Sequence, residues 1–115
     1  MEAASDFVTT PPPPYYAVIF TSRRSGGDDG YGAAADRMVA LAAEMDGFLG
    51  IESVRDGRGL GITVSYWRDE AAIAAWKAQA EHAEVRERGR AFWYRQFELR
   101  VARVERAYGW QKPGG

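Results

Sequence analysis

Residues 60–76 read LGITVSYWRDEAAIAAW, and their period changes halfway along. Up to Trp67 the chain alternates, with Ile62, Val64 and Tyr66 on one side and Thr63, Ser65 and Trp67 on the other, which is the two-residue period of a strand. After Arg68 the apolar positions become Ile73, Trp76 and Ala80, the three- and four-residue spacing of a helix, with Asp69 placed to cap it. A strand that turns within two residues into a capped helix is a β-α unit.

The same grammar repeats on either side. Residues 15–23, YYAVIFTSR, are β-branched and aromatic and predict a strand. SGGDDG breaks it, and Asp28 or Asp29 can cap a helix carrying Tyr31, Ala34, Met38, Leu41 and Met45 on one stripe, which Gly47 closes. Residues 48–56 predict a strand, and Gly57-Arg58-Gly59 the turn of a hairpin into 60–67. The second helical region continues through Val85, Gly89, Phe92 and Trp93, where Gly89 and a change of stripe suggest a break into two helices. Residues 97–108 predict a last strand. The order β-α-β-β-α-β is the ferredoxin-like, split α+β arrangement with a four-stranded antiparallel sheet. Residues 1–14 end in four prolines and are expected to be a disordered Pro-rich tail, residues 15–110 the folded domain, and 111–115 a frayed end.

Helices on one side of such a sheet leave the other side open, and an open side should be polar at every second residue. Here Tyr15, Ala17 and Ile19 alternate with Tyr16, Val18 and Phe20, so both faces of the first strand are apolar. The last strand pairs Phe97, Leu99 and Val101 against Ala102 and Val104. A second copy stacked sheet against sheet is the economical cover, and a homodimer is expected.

Several chemistries are disfavoured by composition. A net charge of −1 offers no general attraction to nucleic acid or anionic lipid. No run reaches the ~18 apolar residues of a membrane span, and the acidic start lacks the pattern of a secretory signal, so a cytoplasmic location is expected. Cysteine is absent and His82 is the single histidine, which leaves no metal-ligating motif. Arg58-Gly59-Leu60-Gly61-Ile62 has the glycines of an RNA-recognition strand, but leucine and isoleucine stand where stacking aromatics are needed. The same glycines open a strand rather than a helix, so they do not form a dinucleotide loop.

Aromatic side chains are the richest signal. Trp67 shares its face with Thr63 and Ser65, small polar groups that leave room beneath an aromatic wall and can orient a ligand. Tyr66, Trp76 and Phe92 are candidate contacts for the same small molecule, although residues of this size are ordinarily core. His82 is the only side chain of a type expected to titrate near neutrality unaided and is the candidate general base; a lone helical histidine is more often a surface residue. Arginines crowd residues 86–106 among glutamates, as on a solvated surface, with Arg100 the candidate exception that neutralises an anionic substrate.

From residue 15 to 110 the chain resembles the antibiotic biosynthesis monooxygenase (ABM) domain family of the dimeric α+β barrel superfamily. The likeness is carried by FLGIESVRDGRGLGITVSYWRDEAAIAAWKAQAEH and FWYRQFELRVARVERAYGW. The resemblance implies a homodimer with a pocket in each subunit and, in some relatives, oxygenation of polycyclic phenols without metal or flavin. It assigns His82, Trp67 and Arg100 (or Arg68) to the chemistry and needs no cofactor. Haem-degrading relatives combine an asparagine with a tryptophan and a histidine, and this chain has no asparagine. The alternative is a non-catalytic dimer that binds a hydrophobic, haem-like or aromatic molecule.

Overall fold

The computed structural model describes residues 7–24, 31–87 and 94–114; within these, the side chains of 31, 34 and 82–87 lie outside the description. Six elements follow in the order β1 (Tyr15–Arg24), α1 (Tyr31–Ala43), β2 (Phe48–Arg55), β3 (Leu60–Trp67), α2 (Glu70–Glu87) and β4 (Tyr94–Val104). All neighbouring strands are antiparallel and the sheet order is β2-β3-β1-β4, the ferredoxin-like arrangement expected from the sequence. The candidate caps at Asp28 and Asp29 and the break at Gly89 fall outside the described residues.

Local chemistry sets the joints. In the β2–β3 hairpin the Asp56 carboxylate accepts the backbone N–H of Arg58 at 2.9 Å and of Leu60 at 3.0 Å. These two bonds hold its carboxyl below the usual carboxylate range. Gly59 adopts φ +99°, which a side chain would resist, and its carbonyl accepts the N–H of Arg24 at 3.1 Å. At the other end Asp69 caps α2, taking the N–H of Ala72 at 2.8 Å. Arg68 then binds Asp46 and Asp69, and its N–H donates to the Gly47 carbonyl at 2.8 Å. The turn after α1 is therefore tied to the start of α2.

Strand registers define four rows across the helix-covered face. They read Phe48–Trp67–Tyr16–Arg103, Ile51–Ser65–Val18–Val101, Ser53–Thr63–Phe20–Leu99 and Arg55–Gly61–Ser22–Phe97. Both helices cover the first three rows, and the core gathers there: Val18, Ala42, Trp67 and Ala72 are buried, with Met45, Phe48, Ile73 and Trp76 packed around them. Trp67 is the largest side chain with no solvent exposure. Phe48 meets its ring edge-on at 5.3 Å between centroids and Trp76 stacks on it at 5.9 Å.

The opposite face is apolar in patches, as anticipated. Val54 is 78% exposed and Ile62 48%, and both belong to it. Its far end is not bare, however. The chain before β1, expected to be a tail from residue 1 to 14, touches the sheet at Val8 and Thr10. The Val8 side chain fills the space over Gly50, where a Cβ would come within 2.3 Å of it, and the Val8 N–H donates to Glu52 at 3.0 Å. Thr10 donates to the Tyr15 hydroxyl at 3.0 Å.

The last strand also differs from expectation, starting at Tyr94 and ending at Val104 rather than spanning 97–108. Pairing explains both limits: Arg24 partners Tyr94, Tyr15 partners Val104, and beyond Tyr15 the prolines offer β4 no N–H. Residues 105–114 continue without regular structure, and Tyr108 and Trp110 are exposed on them.

Trp67→Ala should lower the free energy of unfolding by ~3–5 kcal/mol, read from urea denaturation, because the stacked and edge-on partners cannot close the space it leaves.

Candidate functional site

Between the sheet and the two helices lies a cavity of about 220 Å³. Its floor is the two middle rows of the sheet: Val18 and Phe20 of β1, Ile51 of β2, Thr63 and Ser65 of β3. The roof is Ala35, Met38 and Ala42 of α1 and Trp76 and Ala80 of α2, and Tyr94 and Leu99 of β4 bound one side. Small residues at the roof create the room. Where α1 and α2 approach the sheet they carry alanines, and a helix spaced for Trp67 and Trp76 leaves a gap beside them.

The lining is mostly apolar, with two hydroxyls on the floor. The Trp67 indole N–H donates to the Ser65 hydroxyl at 2.9 Å in a buried setting. A serine that accepts this bond keeps its own proton to donate, so Trp67 turns Ser65 into a donor beside the cavity. The Thr63 hydroxyl is 2.7 Å from that of Ser53 in the same row. Phe20 and Tyr94 form an aromatic end wall, their centroids 5.4 Å apart, and Phe97 packs on Phe20 at 5.3 Å.

Of the residues singled out in the sequence, the structure brings Thr63, Ser65 and Trp76 to the cavity. Trp67 is not on its surface: it stands behind Trp76 and Ser65 and positions both. Tyr66 and Arg100 are carried to the other face by strand alternation. Tyr66 follows Ser65 and precedes Trp67, and Arg100 follows Leu99, all three of which face the helices. His82 falls within α2, but its side chain lies outside the described residues, as does the whole of Phe92. Arg68, the second candidate cation, is occupied at the Asp46–Asp69 joint, where the two carboxylates raise its pKa.

Two residues of consequence were not singled out. Tyr94, which lies between the expected second helical region and the expected last strand, is the first residue of β4. Arg55 ends β2 on the helix-covered face; its guanidinium reaches over Gly61 to the Ser22 hydroxyl at 2.8 Å and also donates to the Gly59 carbonyl. The signal available in the sequence was its two-residue phase with Ser53, together with a glycine opposite it in the hairpin.

On the other face Tyr66 donates to Glu52 at 2.7 Å and meets the Tyr15 ring edge-on at 5.9 Å. Partial burial, followed by the Glu52 hydrogen bond and charge, pushes its phenol up to about 12. Among the described residues, no cluster of acidic residues and histidine has the makings of a metal site, and no helix is long and apolar enough to cross a membrane.

The family model described as antibiotic biosynthesis monooxygenase matches residues 14–88, well over half of the chain. The chain belongs to this family. Protein YqjZ of Bacillus subtilis (strain 168), described as uncharacterized, is 55% identical over 77 residues, which are 67% of this chain and 68% of that one. A jasmonate monooxygenase of Pyricularia oryzae is 35% identical over 66 residues, 54% of this chain but 30% of that larger protein. Among solved structures, SnoaB of Streptomyces nogalater, described as a cofactor-independent oxygenase, superposes with a TM-score of 0.65 at 15% identity. That match covers 90% of this chain and all of the other, and at this identity it speaks for the shared ABM fold alone.

The Tyr66 phenol sets a pH dependence. It holds its proton more firmly in the folded chain than at its ordinary value of 10.0 in the unfolded one. Its contribution to stability is therefore whole below pH ~10 and is lost as pH rises through about 12. Tyrosine absorbance titration should show one phenol ionising late, and Tyr66→Phe should remove that step.

Proposed function

We propose that this ABM-family chain is a cofactor-independent monooxygenase that oxidises a planar aromatic or phenolic small molecule held between the sheet and the helices. The observation that carries the reading is the cavity itself: an apolar chamber with aromatic walls, Trp76 on one side, and the hydroxyls of Thr63 and Ser65 on its floor. Its volume of about 220 Å³ sets the size of the guest, since ~150 Å³ already accommodates one benzene ring, so one or two fused rings fit.

The chemistry asks little of the protein. Ground-state oxygen reacts slowly with closed-shell molecules until they are made electron-rich, which deprotonation of a phenol achieves. With dihydroxynaphthalene the substrate supplies both electrons: one oxygen atom enters the ring to give a hydroxynaphthoquinone, and the other leaves as water. No external reductant enters that balance. In this reading His82 takes the phenolic proton, Thr63 and Ser65 orient the ring oxygen, Trp76 holds the ring face, and Trp67 positions Ser65 and Trp76. That SnoaB is a cofactor-independent oxygenase on this fold supports the proposal.

The protein is further proposed to be a homodimer through the uncovered sheet faces. Val54 and Ile62 remain exposed there, and a second copy of the same face would bury them. Sedimentation at micromolar concentration should give a dimer, which Ile62→Glu should shift toward the monomer.

The decisive assay follows oxygen uptake with dihydroxynaphthalene. His82→Ala should lower the rate ~100-fold or more, and Thr63→Val should lower it with the fold intact by circular dichroism. Binding of the substrate with no oxygen uptake above the uncatalysed rate would leave the chain a binding protein.

A further inference from the structure

We infer that the cavity takes a ring bearing a carbonyl, and that the Ser65 hydroxyl, its orientation set by Trp67, is the group that selects it. The inference rests on the cavity being the binding site and adds which oxygen function it recognises.

The Ser65 side chain is only 8% exposed and forms part of the cavity floor. Its oxygen accepts the Trp67 indole N–H at 2.9 Å, a demand that water cannot meet because Trp67 has no solvent exposure. A hydroxyl carries one proton and two lone pairs. One lone pair is spent on the indole, and among the described residues the proton has no acceptor. A buried donor without an acceptor is the costly deficit, whereas an unfilled second lone pair is commoner and milder. This corner of the cavity therefore calls for an acceptor.

The neighbouring hydroxyl is less exacting. Thr63 stands 2.7 Å from Ser53, either hydroxyl of the pair can donate, and Ser53 is exposed. Thr63 can offer a ligand its proton or a lone pair, with Ser53 and solvent taking up the difference. The two floor hydroxyls are two residues apart on one strand face, ~7 Å. A fused two-ring molecule lying along β3 then puts a carbonyl over Ser65 and any hydroxyl over Thr63. A neutral phenol over Ser65 would bring a proton of its own, and the cross-strand neighbours there, Ile51 and Val18, have no side-chain acceptor for it. In the proposed reaction the oxygen over Ser65 is a phenolate before oxidation and a quinone carbonyl afterwards, an acceptor in both states.

The probes are α-tetralone and its hydrocarbon isostere, in which a methylene group replaces the carbonyl oxygen, titrated calorimetrically into the full chain. The ketone should bind at least ~10-fold more tightly, equivalent to ~1.4 kcal/mol. Its carbonyl stretch, read by infrared difference spectroscopy, should fall below the value in hexane. Ser65→Ala should abolish both the preference and the shift. Because that change strands the Trp67 N–H, the second variant is Ser65→Ala with Trp67→Phe, which removes both partners of the bond together and should keep the fold by circular dichroism. It should bind the two probes alike, with the carbonyl band at its hexane position. Equal affinities in the unmodified chain, an unshifted band, or a preference that survives in both variants would overturn the inference and leave the cavity as a site. A shift lost in Thr63→Val but kept in Ser65→Ala would overturn it as well. If neither probe binds, the cavity reading fails with it.

Discussion

An indole that is completely dry must find an acceptor for its N–H, and for Trp67 that acceptor is the hydroxyl two residues earlier on the same strand face. Much of the structure answers to this one bond. It fixes the tryptophan flat enough for Trp76 to stack on it, which sets how closely α2 approaches β3. It places Phe48 against the ring edge, which ties the edge strand to the centre of the core. The bulge between Phe48 and Gly50 lets β2 return to register after that contact. The rest of the core is small, largely alanine and valine, so little else could hold the helices at this height.

That height is also why there is a cavity. A helix lifted by two stacked indoles, lined with alanine where the indoles end, cannot close on the sheet beyond them. The hydroxyls of Ser65 and Thr63 then lie on the floor of a mostly apolar space. Packing and chemistry share residues here: Ser65 satisfies the buried indole and, for that reason, has its proton left to offer. The division of the sheet into two faces is equally firm. One face holds the cavity and Arg55; the other holds Tyr66, Glu52 and Arg100 and belongs to whatever covers the sheet.

How much of this could be read from the sequence depended on the period of each segment. The β3–α2 unit was legible because alternation and helical spacing meet at Asp69, whose capping role the structure bears out. The hairpin was legible because glycine surrounds Arg58, and the places of Thr63, Ser65 and Trp76 beside the cavity follow from these two elements. Trp67 was harder: a tryptophan beside small polar residues can form the wall of a cavity or the pillar behind it, and only the height of the helix decides which. Arg100 was chosen for its charge when its phase put it opposite Leu99's side. Arg55 was passed over because an arginine next to a hairpin usually belongs to solvent, and the vacancy over Gly61 that redirects it is a property of two strands at once. The limits of β4 depended on where its partner β1 begins, which local propensity does not encode.

The segment before β1 carries a final consequence. By laying Val8 into the hollow above Gly50 and hooking onto Glu52, it roofs one end of the uncovered face and leaves the Val54–Ile62 end bare. Two such surfaces cannot meet centre to centre without dislodging their own straps. In the proposed dimer a partner sheet would have to settle off-centre, toward the hairpin, and trimming the chain back to its prolines would alter that seating before it altered the chamber beneath the helices.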